Sequence, residues 1–317
     1  MTARQAELDS LTFLAYLHTV GANDEAIAMA TIWTRAMLGQ DPSDISALFF
    51  LHYCKAGGGL MQMRSDRNHG GQYLRVREGT QMFAINIAKT LQEIIEYNKP
   101  ITVVDRGRVN QYQARKVICA VPPPVIKKIT FVPELPLGKK LLVDSYRYGY
   151  YQKVMVVFKS PFWVKLGLCG LVQSFKGPSA VVRDTSVPAD GKYVLTCFVA
   201  GSMGKDWSEK SGKLRQAEVL KQLEDVLGKK VKEEYVEMIG HQWNDEEWSG
   251  YGCPSPSTGP GVLSAVGFEL KRPAGDVHFA GTETSDVWRG YMEGAVRSGE
   301  REAELVIKEL RRVQSRW

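Results

Sequence analysis

The residues of this chain that could do chemistry fall into four groups. The first is Val277-His278-Phe279-Ala280-Gly281-Thr282-Glu283-Thr284, followed by Trp288-Arg289-Gly290-Tyr291-Met292-Glu293-Gly294-Ala295. Its apolar start, stopped by glycine, reads as a buried strand ending where another group approaches the backbone closely. Gly290, Gly294 and Ala295 then open a helix whose free first-turn N–H groups could face a flat ring or an anion; plain packing of strand on helix would use the same pattern. The second is Lys153, the one charge in Tyr150-Tyr151-Gln152-Lys153-Val154-Met155-Val156-Val157-Phe158. An ammonium there must reach solvent, as on an edge strand, or find a partner. The third is Cys253, between Gly252 and Pro254, which is either a reactive thiol or a small residue that fits. The fourth is Gln72 after Gly70-Gly71, a cavity amide or a turn glutamine. Metal chemistry is not expected, because the five cysteines lack any C-x-x-C and His241 has no second ligand at suitable spacing.

The elements around these groups alternate between helix and strand. Asp9 reads as the N-cap of a helix carrying Leu11, Leu14, Leu17 and Val20 to Gly21. Asn23 or Asp24 caps a second helix with Ile27, Ala30, Trp33 and Met37. Pro42 starts a third, apolar almost all round, through Ile45–Cys54. A long helix is expected from Thr80 to about Tyr97, with Phe83, Ile85, Ile87, Leu91 and Ile94 on its apolar side. Strands follow at 101–105 and 116–121, the second closed by Pro122-Pro123-Pro124. A helix at 136–146 leads to the strand that holds Lys153. Stretches 170–175, 180–184 and 192–200 read as antiparallel strands of one sheet, covered by a helix at 213–227 and followed by a strand at 233–238. The fold class is therefore mixed α/β.

With 44% hydrophobic and 24% charged residues the chain is that of a globular protein with a sizeable core. The net charge of +6 comes from scattered basic residues without an aromatic-basic stripe, which argues against nucleic-acid binding. No apolar run suits a signal peptide or a membrane span, and 310–317 reads as a solvated helix end, so a soluble intracellular location is expected.

F-A-G-T-E-T at 279–284 followed by W-x-G-Y-M-E-G-A-x-x-S-G from Trp288 resembles the C-terminal flavin-binding segment of the flavin-dependent monoamine oxidases. The resemblance implies an FAD-dependent oxidase that takes an amine and O2 to an aldehyde, ammonia and peroxide. It further implies that Gly281, Thr282, Glu283, Met292, Ile101 and Trp243 meet the cofactor, that Tyr291 stands over the flavin ring, and that Lys153 holds a water beside flavin N5. Gln72 and Leu168 would line the substrate cavity. Cys253 matches a cysteine that is covalently bonded to flavin in the mammalian members. An aromatic residue follows that cysteine in the family, whereas this chain has Pro254, and Tyr251 is the candidate replacement; covalent attachment is left open.

The family binds the ADP part of FAD with a G-x-G-x-x-G turn, which this chain lacks. A strand expected between 106 and 115 is missing too. The resemblance thus implies the C-terminal two-thirds of an oxidase, as a fragment or as a partner without its own cofactor. Its segments would be 1–78 and 143–245 in a substrate domain and 79–142 and 246–317 in an FAD-binding domain. An apolar face left uncovered would favour homo-oligomers or poor solubility. A polyamine or L-amino acid oxidase is the alternative; the second needs a cation for the substrate carboxylate, and the sequence singles out none.

Overall fold

The computed structural model describes residues 1–106 and 112–314. Its strands are β1 (Val103–Asp105), β2 (Val117–Cys119), β3 (Thr130–Val132), β4 (Tyr151–Phe158), β5 (Val172–Gln173), β6 (Ser179–Asp184), β7 (Tyr193–Ala200), β8 (Tyr235–Gln242) and β9 (Val277–Phe279). The alternation in β4 and β7 puts Val154, Val156 and Phe158, with Leu195, Cys197 and Val199, on one face, where helix Gly212–Leu227 seals them with Val219, Leu223 and Leu227. Each such side chain withdrawn from water contributes roughly 1.5–3 kcal/mol. These strands form one antiparallel sheet in the order β5-β6-β7-β4-β8. On the opposite face, helix Asp24–Leu38 covers Ala180 and Val181 through Ile32.

A second core joins Phe13, Leu38, Ile45, Phe49, Phe50, Tyr53 and Met63 to Leu142 and Tyr146, with Trp288 and Tyr291 packed on its margin. The remaining strands form two parallel pairs, β1 with β3 and β2 with β9. A third cluster, built on Val143, Val277 and Phe279 with Val104 and Phe131 against it, bridges them. Helix Met292–Gln314 lies along β9 and the turn Thr282–Thr284. The architecture is the mixed α/β one expected.

Several local expectations are corrected. Asp9 does not cap a helix: helices Ala3–Ser10 and Phe13–Thr19 are separate, and Thr12 caps the second. The Asp9 carboxylate is instead buried, accepting from Ser46 Oγ and from the Ser264 N–H, both at 2.7 Å. Pro42 lies in a turn, and Ser46 caps the next helix, Ala47–Ala56, by accepting from the Phe49 N–H. The helix expected over 80–97 is Gln81–Thr90, and none of its residues is buried. Phe83, Ile85, Ile87, Leu91 and Ile94 are exposed, because among the described residues nothing packs on that side to extend or cover it. The strand expected at 233–238 begins only at Tyr235, after a short helix Lys230–Glu234, and that expected at 170–175 shrinks to Val172–Gln173. The strands expected at 101–105 and 116–121 are shorter, Val103–Asp105 and Val117–Cys119, and pair with β3 and β9. Residues 107–111, within the stretch where a strand is missing, lie outside the described residues, as do 315–317 at the expected helix end.

Candidate functional site

The site is built around the end of β9. Val277, His278 and Phe279 are all buried, and the Ala280 N–H donates to Cys119 O at 2.9 Å, so β2 and β9 finish side by side. The carboxyl ends of parallel strands are the usual ligand-facing edge of such sheets. Gly281 follows at φ +107°, where an L side chain is strained, and its N–H donates to Ser298 Oγ. Thr282 Oγ1 donates to Tyr291 O at 2.8 Å, tying the turn to the start of the helix. A Cβ on Gly294 would sit 2.4 Å from Trp288 O and 2.7 Å from Thr282 Oγ1, so the first helical turn reaches the loop only with glycine there. The helix begins at Met292, and Gly290, expected at its start, is in the preceding turn at φ +82°. Met292 itself is 52% exposed.

Glu283 turns inward and is buried. Burial raises its proton affinity, and the nearby Arg289 opposes that. Tyr291 stacks on Tyr53, with ring centroids 6.1 Å apart, and meets Trp288 edge-on at 5.2 Å. Burial pushes the Tyr53 phenol well above its ordinary range, so it is a neutral hydroxyl. Gln72 belongs to this neighbourhood: its Nε2 donates to Met63 O at 3.1 Å, and a Cβ on the adjacent Gly71 would lie 3.2 Å from the Trp288 ring.

Lys153 stands on β4, an interior strand, which rules out the edge-strand placement. It is exposed, on the face away from the Val154–Val156 core, between Phe198 on β7 and His241 on β8. Its ammonium is 5.9 Å from the Phe198 ring centre. Its charge also reaches Cys253, whose thiol burial pushes up to about 12 against that charge. Trp243 packs edge-on against His241 at 4.8 Å and so lies on the Lys153 side. Tyr251 is elsewhere engaged, with the Lys128 ammonium 4.2 Å over its ring. Leu168 is exposed in the loop after Trp163, to whose carbonyl its N–H donates. Ile101 is exposed just before β1. The structure thus gathers Gln72, Tyr291 and the 281–292 loop in one place at the end of β9, and Lys153, Cys253 and Trp243 in another beside β4, while Tyr251, Leu168 and Ile101 each have different neighbours.

Three residues near the tyrosines were not found from the sequence. Tyr53 was hidden in an apolar helix as one more core aromatic. Arg64 closes a helix of only five residues, Leu60–Arg64, too short to show a period. Arg183 sits at the end of β6 and donates to Arg64 O at 3.3 Å.

A family model described as flavin containing amine oxidoreductase matches residues 1–307. The chain belongs to the flavin-containing amine oxidoreductase family. It is 31% identical over 311 residues to a probable flavin-containing monoamine oxidase A of Dictyostelium discoideum, covering 94% of this chain and 67% of that protein. Human flavin-containing amine oxidase B is 31% identical over 316 residues, covering 95% of this chain and 60% of that protein. Among solved structures, cyclohexylamine oxidase from Brevibacterium oxydans superposes with a TM-score of 0.89 at 28% identity, over 96% of this chain and 69% of that one. Putrescine oxidase bound to putrescine gives 0.87 at 26%, over 95% and 69%. The chain therefore spans 60% to 67% of the length of these two curated relatives.

The family implies a flavin. The residues at the β9 loop fit such a group: a Cβ at Gly281 would press on Glu283 Oε2 at 3.2 Å, so glycine lets the backbone run close there, and the 23-residue helix presents Met292 and Val296 to the surface at its start. Among the described residues no group of three or more His, Cys, Asp or Glu could hold a metal, and no helix is long and apolar enough to cross a membrane.

Proposed function

We propose that this chain carries the substrate side and the C-terminal cofactor-binding side of an FAD-dependent amine oxidase, with segments 1–78 and 143–245 forming the first and 79–142 and 246–317 the second. In the reaction an amine loses a hydride and a proton to become an imine, water releases aldehyde and ammonia, and O2 leaves as H2O2. When bound, FAD supplies the acceptor for the hydride and returns the electrons to O2. The observation that carries this reading is the glycine-gated loop from β9 into the long helix, with Tyr291 stacked on Tyr53 beside it. Gly281, Thr282 and Met292 line the place of the cofactor, Gly281 by close approach because its N–H and carbonyl are taken by Ser298 and Thr284, and the free N–H groups of the first turn at Met292 stabilise negative charge on it. Glu283, the further cofactor contact of this reading, is buried beneath the loop, where the charge of Arg289 faces it. Ile101 and Trp243 complete the cofactor contacts.

Tyr291, stacked on the buried Tyr53, presents neutral, apolar ring surface that orients the amine and excludes water. Gln72 borders the place of the amine beside Tyr291, whereas Leu168 and Tyr251 have other neighbours and are given no contact with it. Lys153 holds a water at the reacting edge, where its charge aids proton movement when O2 is reduced. Cys253 is the residue through which a covalent link to flavin would form. A polyamine or an amino acid is the alternative substrate.

The test is the chain preceded by an oxidase-type dinucleotide-binding segment. It is expected to purify yellow and to release peroxide from amines, and Lys153→Met should slow reoxidation by O2 more than reduction by amine. A protein without flavin absorbance, or without peroxide from any amine, would overturn the reading.

A further inference from the structure

Arg64 is held in place by the same contacts that position Gln72. Met63 before it is fully buried and its carbonyl accepts from Gln72 Nε2, while the Gly71 N–H donates to Gln62 O at 2.8 Å. The Arg64 side chain is half-buried within electrostatic reach of the Tyr53, Tyr151 and Tyr291 phenols, and its Nη2 is buried without a hydrogen-bond partner. A buried guanidinium N–H without an acceptor is costly, and a ligand that supplied an acceptor would recover that cost.

A second guanidinium makes the arrangement more telling. Arg183 donates to the Arg64 carbonyl, and its own carboxylate, Asp66, is 3.7 Å away and half exposed. Two cations thus share one partly buried corner, and burial together with their mutual repulsion depresses the proton affinity of Arg64. Apart from Asp66, which is engaged with Arg183, the corner offers a simple alkylammonium no anion, and the two guanidinium charges repel it. An anion is favoured, and the planar fork of arginine matches a carboxylate through two parallel hydrogen bonds.

We propose that Arg64, backed by Arg183, binds the carboxylate of a substrate that carries both an amine and a carboxylate. This rests on the amine-oxidase reading, because it places the carboxylate beside the tyrosines that orient the amine. The two cations also lower the pKa of a neighbouring substrate ammonium, which favours the neutral amine needed for hydride loss.

Two measurements separate the carboxylate site from the oxidase reading. In the first, benzoate and benzamide are titrated calorimetrically into the 317-residue chain. Benzoate is expected to bind at least tenfold more tightly than benzamide. Arg64→Met should weaken benzoate ten- to hundredfold and leave benzamide unchanged, with Arg64→Lys intermediate because it keeps the charge but loses the fork. Circular dichroism checks that both variants fold, and Arg64→Lys keeps the test informative if Arg64→Met does not. Equal binding of benzoate and benzamide, or benzoate binding indifferent to both Arg64 variants, overturns the proposal.

In the second, the flavin-loaded protein of the preceding section is assayed with phenylglycine and with benzylamine. The ratio of kcat/KM for phenylglycine over benzylamine should exceed one and fall at least tenfold in Arg64→Met. Oxidase activity with an unchanged ratio sinks the carboxylate site alone. Arg64-dependent benzoate binding with no oxidase activity on any amine keeps the anion site and sinks the substrate assignment together with the oxidase reading.

Discussion

Lys139 should make this protein more stable as the pH rises from 7 to 9. Its side chain is 2% exposed, its ammonium donates to the carbonyls of Glu269 and Leu270, and it lies 4.1 Å over the Phe279 ring, one residue before the Ala280-Gly281 turn. Carbonyls and a ring face do not replace lost hydration fully, and burial lowers the pKa from 10.5 to about 8, with the charges of Glu269 and Glu302 opposing. Below pH 8 the folded and unfolded chains both carry the proton, and the cost of burying the charge is fully present. Between the folded value of about 8 and the unfolded value near 10.5 the unfolded chain binds more protons, so stability increases with pH there.

The full span is worth about 3 kcal/mol, of which roughly 1.3 kcal/mol is gained between pH 7 and pH 9. Other groups titrate in the same range, so the quantity to measure is the difference between the wild type and Lys139→Met, which fills the same space without a charge. Urea unfolding of both at pH 7, 8 and 9 gives that difference directly. It should grow in favour of the wild type by about 1 kcal/mol or more. A flat difference, or one that shrinks as the pH rises, would refute the claim that the buried ammonium carries an unrecovered hydration cost.

Asp9→Ala removes the acceptor of the buried Ser46 hydroxyl and of the Ser264 N–H, and should cost about 1–3 kcal/mol, read as a lowered urea midpoint; an unchanged midpoint would show that the buried carboxylate holds nothing together. Thiol labelling at pH 8, mapped by mass spectrometry, should modify the exposed Cys169 first and Cys253, with its thiol pushed up to about 12, at least tenfold more slowly; a faster Cys253 would contradict that assignment.

The sequence by itself determined those features whose causes lie within a few residues of each other. Short apolar runs between turn-formers marked β5, β6 and β7, which lie in one antiparallel sheet as expected, and the structure adds β4 and β8 to it. The cap at Asn23 was legible because its side chain bonds the Ala26 N–H three residues on. The strand, glycine and helix of 277–295 were legible as a unit, since a buried strand and the glycines of a close approach are local requirements, and their wording carried the family.

Tertiary structure decided the rest. Asp9 is as good a cap as Thr12 by residue type, and only its distance-spanning bonds to Ser46 and Ser264 turned it inward. The apolar side of Gln81–Thr90 looked like a buried face, but a hydrophobic pattern specifies burial only if another element supplies the partner surface. The same holds for pairing: a short β-branched run such as Val103–Asp105 fixes a strand but not its neighbour, and its parallel partner β3 comes from a separate segment. Arg64 and Arg183 are far apart in the chain and carry no periodic signal, and their shared corner beside Tyr291 exists only because the Leu60–Arg64 helix and β6 meet there. Local physics writes elements into a sequence, whereas the chemistry of a pocket depends on side chains whose separation along the chain leaves no pattern to read.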